Sequence, residues 1–271
     1  MSLNGQNCSL EIAPEWHGEL PRPIVGSISS IANQAIARWH THPWLQFSYA
    51  LEGVVDVNTE QGRYMAPPQR AVLIPAGELH RVYASTNTLI RSMYIRTEAL
   101  AESVDSCRVL SVSPLLRELI RRFSEYPVFY TETGPESRLA EVLLDEIQNA
   151  STSGLMLRWP RDARILGFCQ HLYKEPSSNL SLETHAQHIG VSSKTLSRLF
   201  LQETGLNFRA WRQQLRLMQA LPMLEAGQRV TDVALACGYE SLSAFIAAFR
   251  LAMGVTPMEF AHTYRSSHHS G

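Results

Sequence analysis

Apolar and polar positions alternate along roughly the first hundred residues and recur at helical spacing after that, so the chain predicts strands followed by helices. GVVDVNTEQGRYMA, residues 53–66, holds two short β-rich runs around Glu60-Gln61-Gly62, a hairpin signal. AVLIP at 71–75, HRVYAS at 80–85 and LIRSMYI at 89–95 continue the pattern. Short strands punctuated by Pro and Gly suggest a sandwich or barrel. Helical spacing begins near Ser113, with Leu115, Leu116, Leu119, Ile120 and Phe123, then Leu139, Val142, Leu143 and Ile147. Two helices within about 113–148 would close the first half, their apolar face packing on the barrel or meeting a second copy. The small, polar stretch near 151–159 reads as a linker. Beyond it Ile165, Cys169, Leu172 and Tyr173 form one helical stripe ended by Pro176, and Ser181 is a candidate N-cap. The expectation is an α+β chain: a β-rich domain over 1–150, a linker over 151–159, an all-helical domain over 160–265 and a disordered tail at 266–271.

The helical half repeats itself. Ala186 matches Ala234 and Gly190 matches Gly238, both 48 apart; Phe200 matches Phe249 and Gly205 matches Gly254, both 49 apart. Each copy reads as a short helix, a glycine turn and a second helix stopped by glycine. Ser192 or Ser193, and Ser241, can cap the second helices. Thr256-Pro257 pairs an N-cap with proline at the first helical position and starts the last helix. A long helix from about Phe208 to Glu225 joins the copies, and Pro222 is expected to kink or end it near Leu221. A helix-turn-helix lays its second helix in the DNA major groove, and two of them can enter grooves ~34 Å apart. A helical repeat that binds protein is the other reading.

Charge favours DNA. The net charge is −1, yet residues 1–159 hold 13 Arg against 17 acids, net −4, and residues 160–271 hold 9 Arg and 2 Lys against 8 acids, net +3. Lys194, Arg198, Arg209, Arg212 and Arg216 face one acid, Glu203, within that span. Arg198 can serve DNA or pair with Glu203. At 45% hydrophobic the chain can bury a core. Cys8, Cys107, Cys169 and Cys237 lie far apart, which suits reduced thiols. No signal peptide and no membrane span are expected, so the cytoplasm is the expected compartment.

Residues 160–265 resemble the tandem helix-turn-helix domain of the AraC/XylS family of bacterial transcription regulators. LSRLFLQETG and ALACGYESLSAFIAAFRLAMGVTPMEF carry the resemblance. It implies base reading by Lys194, Ser197 and Arg198 in the first unit, and by Ser243 and Ile246 in the second. Ala247 stands where the family usually has Arg. Ser192, Ser193, Arg209, Arg212 and Ser241 complete the candidate interface. The implied partners are double-stranded DNA, a small-molecule effector, RNA polymerase if the protein activates, and a second copy in a homodimer.

His40 and His42 are two apart, so a strand would point both imidazoles one way. Imidazole suits zinc, nickel, copper and iron. H-x-H, followed by Gln46 and later by PAGELH ending in His80, resembles a cupin barrel, in which such residues bind one metal. Gln46 stands where that pattern has Glu. The resemblance implies zinc or nickel on His40, His42, Gln46 and His80, or else hydrogen-bonded pocket histidines. Trp44, Tyr49 and Tyr83 are candidates for an effector pocket. The alternative to a non-enzymatic regulator is a metal-dependent cupin enzyme with a helical interaction domain.

Overall fold

A computed structural model describes residues 19–27, 38–67, 69–84, 89–152 and 156–266. The tail at 267–271 and Cys8 lie outside the described residues. The chain forms two compact units, Met1–Glu60 with Tyr64–Ser153, and Gln61–Arg63 with Gly154–Gly271.

The first unit is β-rich. Its strands include β1 (Ile24–Ser27), β2 (Leu45–Glu52), β3 (Val55–Thr59), β4 (Gly62–Ala66), β5 (Arg70–Ile74), β6 (His80–Ala84), β7 (Leu89–Ile95) and β8 (Arg108–Ser111). One sheet has the order β1-β7-β2-β5-β8, and β6-β3-β4 are neighbours in another. Period two decides what each face of β2 does. Leu45, Phe47 and Tyr49 join the core with Leu116, Ile120 and Phe123 of α1 (Pro114–Phe123) and Ala140, Leu143 and Ile147 of α2 (Pro135–Gln148). Gln46 and Ser48 between them are as buried, at 2% and 0% exposed. A strand buried on both faces with polar residues on one of them marks a polar interior. The Ser113 hydroxyl caps α1 by accepting from Leu116 N at 3.0 Å. The apolar stripes are narrower than expected. Leu115 and Val142 are 55% and 45% exposed, because each lies beside the buried stripe of its helix.

The stretch expected as a linker contains a strand, β9 (Met156–Arg158). Trp159 N donates to the Gln61 carbonyl at 3.1 Å, which explains why Gln61–Arg63 groups with the second unit. That unit continues as α3 (Ala163–Lys174), α4 (Leu182–His188), α5 (Ser193–Thr204), α6 (Phe208–Glu225), α7 (Val230–Ala236), α8 (Leu242–Met253) and α9 (Pro257–Ser266). The serine at 192, not 193, caps α5, accepting from Thr195 N at 3.1 Å. Ser241 caps α8 in the same way at 3.2 Å. Gly205 and Gly254 end those helices at φ +73° and +79°. Thr256 N–H donates to the Glu259 carboxylate at 2.7 Å, and Glu259 N–H returns a bond to the Thr256 hydroxyl at 3.2 Å, a capping box.

Of the two outcomes expected at Pro222, an end of the connecting helix near Leu221 is not what the structure has. Pro222 lies inside α6, which runs on to Glu225. Its ring faces solvent, while Leu221 and Leu224 are fully buried and hold the last turn in place.

Candidate nucleic-acid interface and histidine cluster

The helical period sorts α5 into two faces. Leu196, Phe200 and Thr204 are buried, and Lys194, Ser197 and Arg198 are exposed together on the opposite side. Glu203 does not pair with Arg198: its carboxylate accepts from the Arg161 and Asp162 backbone N–H groups at 2.8 and 3.1 Å. Arg198 has no ion pair among the described residues, so its guanidinium is available for a base edge or phosphate. Arg209, at the start of α6, is also exposed.

Arg212 differs. Its guanidinium donates to the Leu180 carbonyl at 3.2 Å and to the Ser178 carbonyl. Burial lowers its pKa, and Arg216 nearby adds to the effect. The cation is held by backbone carbonyls of its own unit. On α8, Ser243 and Ala247 are exposed, whereas Ile246 is only half-exposed. The hydroxyls of Ser192 and Ser241 face helix amides as caps. Sequence reasoning passed over Arg250, exposed one turn beyond Ala247. Helical spacing from Ser243 would have found it.

His40, His42 and His80 converge, with ligand nitrogens all within 4.8 Å of one another. Antiparallel backbone bonds join His40 and His80: each N–H donates to the other's carbonyl, at 2.9 and 3.0 Å. Gly77, at φ +76°, turns the chain so that its N–H meets the His42 carbonyl at 2.8 Å. Each imidazole Nδ1 lies 2.8–2.9 Å from a backbone carbonyl, of Arg38, Trp44 and Glu78 respectively. A carbonyl can only accept, so each Nδ1 carries the proton and each Nε2 is left with a lone pair. Burial lowers all three pKa values, that of His80 to about 3. The Gln46 side-chain oxygen lies 2.8 Å from His42 Nε2 and 3.1 Å from His80 Nε2, while its amide donates to Ser48 at 2.9 Å. In this placement three nitrogen lone pairs and one amide oxygen share a single space. Turning the Gln46 amide over gives His42 and His80 donors and leaves His40 Nε2 without one.

One of the three aromatic candidates lies beside the histidines. Trp44 stacks on His42, with centroids 5.6 Å apart. Tyr49 lies on the other face of β2, in the core shared with α1 and α2. On β6, His80 is buried and the intervening Arg81 and Tyr83 lie half-exposed on the opposite face, Arg81 4.9 Å over the Tyr83 ring. The period of two separates both tyrosines from the histidines. Buried Tyr94 meets His42 edge-on at 5.6 Å and was missed, as was Ser92, which pairs with Ser48 across β2 and β7. Alternation from Gln46 would have flagged these faces.

Residues 23–144 match the family described as AraC-like ligand binding domain, and residues 185–263 match Helix-turn-helix domain. The chain is 34% identical over 257 residues to the HTH-type transcriptional regulator NimR of Escherichia coli, covering 95% of this chain and 91% of that protein. It is 25% identical over 229 residues to the arabinose operon regulatory protein of Salmonella typhimurium, covering 77% and 79%. Over 101 residues it is 38% identical to the HTH-type transcriptional regulator RipA of Corynebacterium glutamicum, covering 37% and 30%. No helix among the described residues is long and apolar enough to cross a membrane.

Proposed function

The chain belongs to the AraC family of DNA-binding transcription regulators, and on that premise we propose that a divalent transition metal held in its first unit governs how its second unit engages DNA. The relatives are regulators, so the reading as a cupin enzyme is set aside. The observation that carries the metal is the proton placement at the three histidines. With every Nδ1–H committed to a carbonyl, His40, His42 and His80 present Nε2 inward, and Gln46 adds an oxygen. Carbonyl-anchored imidazoles are oriented and more basic as ligands. Two or three imidazoles with an oxygen donor suit zinc or nickel.

In this reading Lys194, Ser197 and Arg198 read bases, Arg209 and Arg250 meet phosphate, and α8 contributes through Ser243 and the edge of Ile246. The protein works in the cytoplasm, where its DNA is. Exposed Leu115 and Val142 give α1 and α2 an apolar surface for a second copy, and an activating complex would contact RNA polymerase. Hydrogen-bonded pocket histidines are the second reading, favoured by the short Gln46 contacts, which a turned amide would satisfy. Elemental analysis of protein purified without a polyhistidine tag decides between them. About one equivalent of zinc or nickel supports the metal; less than about a tenth of an equivalent, with no uptake on titration, leaves the pocket reading.

A further inference from the structure

Residues 175–180 form a strap between α3 and α4, and one face of α6 holds it. Arg212, Arg216 and Gln219 lie on successive turns of α6. Arg212 donates to the Leu180 and Ser178 carbonyls, Arg216 Nε to the Pro176 carbonyl at 3.1 Å, and Gln219 Nε2 to the Tyr173 carbonyl at 3.1 Å. These are the carbonyls of the end of α3 and of the strap, which have no helix partner of their own. Neither arginine has a carboxylate within ion-pair distance among the described residues. Two partly buried cations are thus directed at backbone, an arrangement that the five-donor fork of arginine suits better than an ammonium.

The second helix-turn-helix touches the same strap. Gly238, in the turn between α7 and α8, has φ +77°. A Cβ there would lie 2.7 Å from Arg216 Nη2, 2.7 Å from Ser177 Cα and 2.9 Å from the Pro176 carbonyl oxygen. Arg216 also lies 5.8 Å over the Tyr239 ring. The strap leads into Ser181, the cap of α4. One end of it therefore sets the first helix-turn-helix, and its middle is gripped between α6 and the turn of the second.

We propose that Arg212 and Arg216, with the strap they clasp, fix the separation of α5 and α8 and so decide which spacing between two DNA half-sites the protein accepts. These are positioning residues. Two helices joined by α6 alone could swivel and tolerate several spacings; a strap pinned at both copies removes that freedom. Half-site spacing is a direct consequence of the rigid geometry between reading helices.

The test uses the full chain and a DNA duplex that it selects from a random pool, with versions carrying one to three extra base pairs between the half-sites. Wild type should lose about tenfold or more in affinity when the spacing changes. Arg216→Gln and Arg216→Lys should bind the selected duplex more weakly yet bind all spacings within about threefold of one another. The salt slope of binding should stay that of wild type, since Arg216 faces carbonyls rather than phosphate. If Arg216→Gln does not fold, Arg216→Lys and Gln219→Ala carry the same comparison. Spacing discrimination equal to wild type in these variants would overturn the proposal. So would a slope reduced by about one in Arg216→Gln and restored in Arg216→Lys, which would mark a phosphate contact.

Discussion

Arg198 and Arg212 are one helix apart in the chain and differ wholly in what surrounds them. Arg198 stands exposed on α5 with Glu203 engaged elsewhere, while Arg212 donates to carbonyls of the strap. Arg198→Ala should therefore cost about 1–3 kcal/mol of DNA binding and relax the preference at one base pair. Ser243→Ala should cost less, because a neutral hydroxyl bond contributes only about 1 kcal/mol. Titration of both variants against single-base operator variants checks this, and equal losses of specificity would contradict it. At the histidines, burial is the main cause of the depressed pKa values, with His80 at about 3. Unfolded, each titrates near ~6.5. Below that pH the unfolded chain takes up protons that the folded unit refuses, so stability is full above it and falls as pH drops toward 3. With metal chelated, hydrogen exchange of β2 amides should be faster relative to intrinsic rates at pH 5 than at pH 7. His80→Asn should shrink that difference.

Helix starts and stops carry the second unit, and they explain why its repeat was legible. Between α4 and α7 the offset is 48, and between α5 and α8 it is 49, the same offsets as between the paired glycines. Glycines with positive φ and hydroxyl caps are local requirements, so they show in sequence. Partners are not local. The sequence displayed the charge of Arg212 but not the carbonyls it meets, and the ring of Pro222 but not the packing that carries α6 past it. Aromatic type groups Trp44, Tyr49 and Tyr83, whereas strand period sets both tyrosines on faces away from the histidines. The local terms predict graded losses. Ser192→Ala should destabilise the second unit by about 1 kcal/mol. Gly254→Ala meets no atom within 4 Å and should cost about 1 kcal/mol from its φ alone. Gly238→Ala meets backbone at 2.7 Å and should cost clearly more than Gly254→Ala. Urea unfolding of the three variants ranks them; equal losses for the two glycines would remove the close approach at Gly238.

For the whole molecule, the chain joins a helix-turn-helix unit to a unit whose polar interior holds three oriented imidazoles. With Arg212 and Arg216 turned inward, Lys194, Arg198, Arg209 and Arg250 are among the exposed cations of the helical unit. If about four phosphates are neutralised, a fourfold rise in salt should weaken binding by roughly 10²-fold. Affinity that barely moved with salt would mean that the helical unit binds something other than DNA. The most direct test of the account is the affinity for a selected DNA duplex, measured with the metal bound and after chelation, in wild type and in His42→Ala. Coupling between the sites predicts that chelation shifts the wild-type affinity by about fivefold or more and that adding zinc or nickel restores it. His42→Ala should bind the duplex with one affinity in both conditions. A wild-type affinity unchanged by chelation, in protein shown to have lost its metal, would contradict control of DNA binding through the histidine cluster.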